Sequence, residues 1–149
     1  MKELTGSASA TTVATPAQAM ALLEAIERYP SWAPDVVKEA EVLERDAEGH
    51  PTRARTKLHV ERGPLTRDFN LLLDVKVDPA GRIALSRVPH EPSDTERFNV
   101  TWRVDGATST RIALELDANL DVPRFIPLGD VGDAMAQQLV SEATRALQS

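Results

Sequence analysis

The sequence contains no cysteine. Disulfides, thiolate nucleophiles and cysteine-ligated metals are thereby excluded together, and a reducing compartment suits such a chain, so a cytoplasmic setting is expected. Aromatic residues make up only 4%, which leaves Leu, Val, Ile and Ala to build the interior, a composition that suits an apolar pocket. Basic residues are outnumbered, 17 Lys and Arg against 23 Asp and Glu for a net charge of -6. No global positive field draws phosphate backbones or anionic headgroups, which counts against nucleic-acid binding. No apolar run approaches membrane-spanning length. The start, Met1-Lys2-Glu3-Leu4 followed by small residues to Ala10, offers no apolar segment of the kind a signal peptide needs, so none is expected. Only three histidines occur, His50, His59 and His90, widely spaced, and no Gly-rich phosphate loop, G-x-S-x-G elbow or H-E-x-x-H is present. Neither a metal site nor a cofactor is expected.

What is present is ordinary globular material. A hydrophobic content of 42% with 27% charged residues folds throughout, and no linker divides residues 1–149, so one domain is expected. Residues 5–14 are small and β-tolerant. Thr15-Pro16-Ala17-Gln18 combines an N-cap, Pro at N1 and Gln at N3, and Ala19, Leu22, Leu23 and Ile26 follow at helical spacing up to a stop before Pro30. Two prolines then bracket Trp32, which suggests a turn or one helical turn holding that Trp inward.

From Val36 the period becomes two. Strands are expected over 36–45, 52–61, a run centred on 69–77, 82–88, 97–104 and 110–117. Asp78-Pro79-Ala80-Gly81 should close a tight hairpin. After a loop holding Pro123 and Pro127, Asp130 and Asp133 open a helix in which Val131, Met135, Leu139, Ala143 and Leu147 recur every four residues. Together with the N-terminal segment, seven strands are counted, in the order of an antiparallel meander.

This order, strand, short helix, Pro-Trp-Pro turn, six-strand meander and long terminal helix, resembles the START-like superfamily, also called SRPBCC, of polyketide cyclases/dehydrases and lipid-transport proteins. The segment Ile26-Glu27-Arg28-Tyr29-Pro30-Ser31-Trp32 is similar to that family's I/V-x-x-Y-P-x-W stretch, and Trp102 followed after a Gly-containing turn by Thr110 is a second marker. The resemblance spans nearly the whole chain. It implies an α+β helix-grip fold, a curved antiparallel sheet around the C-terminal helix. It also implies a small hydrophobic partner such as a lipid, a quinone or a polyketide-like molecule.

A twisted seven-stranded sheet curls, and one helix about 10 Å wide as its only long cover leaves a trough. A cavity of roughly 300 to 1,000 Å³ is expected there, lined by Leu58, Phe69, Leu71, Leu73, Ile83, Leu85, Phe98, Val100, Trp102, Leu114, Leu116, Met135 and Leu139. Trp32 reads as an anchor for its turn rather than a ligand contact. Phe125 and Ile126 read equally well as a gate or as loop hydrophobes tucked against the core.

Catalytic residues are not identifiable. Thr56 is the polar side chain that alternation sends inward on its strand, with Asn99 or Asp68 replacing it only if the register slips by one. His59 shares the outward face with Arg53, Arg55 and Lys57, whose charges are expected to pair with Glu39, Glu41 and Glu44 across strands. His50 and His90 are expected on solvated turns. Three functions stay open: carriage of a hydrophobic ligand, a cyclase or dehydrase moving protons with inward polar groups, and an interaction module with a solidly packed interior.

Overall fold

A computed structural model describes residues 2–62, 65–106, 109–120 and 129–148. Its strands are β1 (Lys2–Thr12), β2 (Val37–Arg45), β3 (Pro51–Arg62), β4 (Leu65–Asp78), β5 (Arg82–Arg87), β6 (Arg97–Gly106) and β7 (Thr110–Leu120). They form one antiparallel sheet in the order β1-β7-β6-β5-β4-β3-β2. Between β1 and β2 lie α1 (Pro16–Glu24), a 3-10 turn (Ile26–Arg28) and α2 (Tyr29–Trp32), and α3 (Val131–Gln148) ends the described chain. This is the helix-grip architecture that the family resemblance implied.

Local chemistry accounts for the joints. Thr15 Oγ1 accepts from the Gln18 N–H at 3.1 Å while Gln18 Oε1 accepts from the Thr15 N–H at 2.9 Å, the reciprocal pair of a capping box. At the β4–β5 hairpin the Gly81 N–H donates to Asp78 O at 2.9 Å, and Gly81 takes a φ of +131°. A Cβ there would also lie 2.3 Å from Val104 O, so glycine is required on two counts. The helical stretch after Thr15 differs from expectation. It breaks at Ala25, and Pro30 does not end it but sits in the first turn of α2, where a missing N–H costs nothing.

Alternation decides what is inside. Ile112, Leu114, Leu116 and Ala118 of β7 and Phe98, Val100, Trp102 and Val104 of β6 are buried on one face, paired in register as Val100 with Leu116 and Trp102 with Leu114. Leu71, Leu73 and Val75 of β4 continue that face to Ala54, Thr56 and Leu58 of β3. The outward face carries the charge pairs: Arg53 with Asp74 at 2.8 Å and Glu44 at 3.6 Å, Arg55 with Glu41 at 3.8 Å, and Lys57 with Glu39 at 4.0 Å. The basic row is therefore neutralised by its neighbours, as cross-strand pairing requires.

α3 packs along β1 at one edge of the sheet and touches β7 beside it. Two glycines permit this approach. A Cβ on Gly132 would lie 2.0 Å from Thr5 O, and one on Gly6 would lie 2.1 Å from Gly132 C. Asp133 Oδ1 fastens the same crossing by accepting from the Ser7 N–H at 3.1 Å.

Candidate ligand site between the sheet and the terminal helix

On the concave face, α3 leaves an apolar void of about 40 Å³. That is far narrower than the cavity expected from a sheet with a lone helical cover. The reason is a second cover: Ile26, Tyr29, Val36 and Val37, from the helical turns and the start of β2, project into the trough and fill most of it. The sequence shows this faintly, since Ile26 and Tyr29 stand three apart on one helical face and Val36-Val37 is an apolar pair. The wall is completed by Thr56 and by Leu58, Leu73, Leu85, Phe98, Val100, Trp102, Leu114, Leu116, Met135 and Leu139, ten of the residues anticipated. Phe69, Leu71 and Ile83 are buried in the same core but do not border the void. Phe125 and Ile126 lie outside the described residues.

Three aromatic side chains cluster beside the void. The Tyr29 and Trp32 rings are 4.8 Å apart, and Trp32 meets Trp102 edge-on at 6.5 Å. Trp32 itself does not border the void. The Tyr29 hydroxyl donates to Leu23 O at 2.5 Å, and burial pushes its pKa well above the ordinary phenol range. Tyr29 is thus a neutral, committed donor. The Trp102 indole N–H lies close enough to the Tyr29 hydroxyl to oppose that rise, though outside hydrogen-bond geometry.

The core around the void holds unpaired polar atoms. Trp102 Nε1, Thr56 Oγ1 and Trp32 Nε1 are buried with no hydrogen-bond partner. Thr56 is only 5% exposed and Trp102 1%. Buried polar groups are nearly always satisfied in native folds, and an orphan costs about 1–3 kcal/mol. Two of these three belong to residues on the wall of the void. The register has not slipped: Asp68 and Asn99 stay off the wall, and Asp68 binds His59 Nδ1 at 2.6 Å.

The remaining histidines have structural partners or lie at the surface. His59 is held between Asp68 and Glu61, which raise its pKa. His50 is not merely solvated: it is half-buried and hydrogen-bonds Glu24 of α1, which raises its pKa and ties that helix to the β2–β3 turn. His90 is exposed in the β5–β6 loop. That loop is organised by Asp94, which accepts from Arg87 at 2.6 Å and from the His90 and Glu96 N–H groups at 3.0 Å each. These bonds hold the Asp94 carboxyl far below its ordinary range. No group of three or more metal-ligating side chains occurs among the described residues.

The comparisons agree with this geometry. Residues 13–148 match the family model described as polyketide cyclase / dehydrase and lipid transport, and the chain belongs to that family. Solved structures share the fold at low identity. A protein from Thermus thermophilus superposes with a TM-score of 0.73 at 18% identity, covering 97% of each chain. A START superfamily protein from Mycobacterium smegmatis gives 0.63 at 17%, covering 97% of this chain and 91% of that one. The Zhui aromatase/cyclase from Streptomyces sp. R1128 gives 0.56 at 17%, covering 99% and 87%. At these identities the likeness establishes the START-like fold and nothing finer. No curated protein matches the sequence. No helix among the described residues is long and apolar enough to cross a membrane.

Proposed function

We propose that the protein binds and carries a small hydrophobic molecule in the space between the sheet and α3, in the cytoplasm, and that the molecule bears at least one hydrogen-bond acceptor. The observation that carries this reading is the pair of orphaned groups, Thr56 Oγ1 and Trp102 Nε1, on residues that wall an apolar void. A guest carbonyl would relieve their cost, while its apolar body would meet Leu, Val and Met side chains. A lipid, a quinone or a polyketide-like molecule has this make-up, in keeping with the family and with the aromatase/cyclase among its structural relatives. The void must widen to admit such a guest. Met135, on the helical cover, is the wall residue with most rotamer freedom to allow it.

Proton transfer has less support. Among the described residues no carboxylate, imidazole or amine borders the void, and the Tyr29 proton is already given to Leu23 O. The narrowness of the void favours instead the reading as an interaction module with a closed interior, which takes up no ligand. Displacement of the neutral dye N-phenyl-1-naphthylamine by a matched pair of competitors separates these. 2-Acetylnaphthalene should bind about tenfold more tightly than 2-ethylnaphthalene, the value of one good buried hydrogen bond, and Thr56→Val should erase part of that advantage. Failure of the dye and of both competitors to bind refutes the ligand-binding reading.

A further inference from the structure

A second, larger hollow lies on the outside of the same wall. It is an open cleft of about 380 Å³ between one flank of α3, with Met135 and Gln138, and the adjoining part of β2 and β3, with Val36, Lys38, His59 and Glu61. Val36 and Met135 border both the cleft and the inner void. The partition between outside and inside is therefore one side chain thick. Met135 is an unbranched thioether that can change rotamer without moving backbone. The opposite flank of α3 cannot open in this way, because the Gly6–Gly132 backbone contact and the Ser7–Asp133 bond hold it to β1.

We infer that this cleft is the mouth of the interior site, with Val36 and Met135 as its gate, and that the ligand is a neutral amphipathic molecule whose polar end stays in the cleft. The inference rests on the binding function proposed above. The lining changes character along the path, from apolar inside to Lys38, His59, Gln138, Asp35 and Glu61 at the rim. The charges there do not select an anion. Among the groups lining the cleft, Lys38 and His59 stand beside the carboxylates of Asp35 and Glu61, and His59 is bonded also to Asp68, which in turn pairs with Lys57 at 3.9 Å. A carboxylate or phosphate end would meet carboxylates already in place, whereas a hydroxyl or carboxamide can bond to Lys38, Gln138 or Asp35 without that repulsion.

The absence of cysteine makes the test clean. Lys38→Cys and Gln138→Cys, both at the cleft, are bridged with a bis-maleimide whose spacer contains a reducible disulfide. Stopped-flow uptake of N-phenyl-1-naphthylamine by the double variant should slow at least tenfold on bridging, measured against the same double variant capped with N-ethylmaleimide, and recover on reduction. Met135→Ile replaces the flexible gate with a χ1-restricted side chain of similar size and should slow both association and release of the dye. In displacement, decan-1-ol should outcompete decanoate by about tenfold. Uptake that is unaffected by complete bridging, or decanoate binding as tightly as decanol, overturns the inference while the dye's equilibrium binding upholds the interior site. No dye binding to the unbridged parent overturns both.

Discussion

Replacing Gly132 by alanine sets two effects of opposite sign against each other at one atom. The added methyl would lie 2.0 Å from Thr5 O, where ordinary contact begins at 3.4 Å, so the two backbones must part by about 1.4 Å. Neither partner is a side chain that could rotate aside. Overpacking of this kind costs about 1–3 kcal/mol, and a backbone-on-backbone clash belongs at the upper end. Against it, alanine in a helix gains at most about 1 kcal/mol over glycine. The net loss is then about 2 kcal/mol. Unfolding entropy of about 2.1 cal/mol/K per residue corresponds to roughly 0.3 kcal/mol/K for this chain, so Tm should fall by about 6 °C. Circular dichroism melts of Gly132→Ala and Gly129→Ala measure it, the second serving as control because nothing lies within 4 Å of a Cβ at Gly129. A Gly132→Ala protein as stable as the parent, or more stable, would show that α3 does not rest on β1 through this contact.

Two further outcomes can be measured on the protein without ligand. Thr56→Val keeps the shape and removes an unpaired buried hydroxyl, so it should raise stability by about 1 kcal/mol in urea titrations; a destabilised variant would mean that the hydroxyl has a partner. The His50 and His59 pKa values are raised in the folded state, by Glu24 and by Asp68 with Glu61 respectively. Their contribution is therefore complete below the unfolded value near 6.5 and is lost as pH rises through the folded values. The urea midpoint should decline from pH 6 towards pH 8.5, and Glu24→Gln should reduce the decline. An equal slope in that variant would remove His50 from the account.

Much of the fold is legible along the chain because its rules are local. The capping box at Thr15 and Gln18, the Asp78-Pro79-Ala80-Gly81 turn and the strict alternation of β4 and β6 each depend on neighbours a few residues away. Eight strand residues on the wall of the void are legible for the same reason, since alternation decides which face a strand residue takes, and Met135 and Leu139 follow from the four-residue recurrence along α3. Pro30 shows the limit of a local rule, since the residue that stops one helix can begin the next.

The sequence by itself determined the elements, their order and the inward sets, because periodicity and turn chemistry act over a few bonds. Tertiary structure alone decided how much space those sets enclose. Ile26, Tyr29, Val36 and Val37 reach the trough only once the helical turns fold back over the sheet, and they reduce it to about 40 Å³. It also decided which polar atoms go unpaired, Thr56 Oγ1 and Trp102 Nε1, and that Gly6 meets Gly132 across 126 positions of chain, 132 minus 6. Volume, satisfaction and close approach are properties of residues distant in sequence, and no local pattern encodes them.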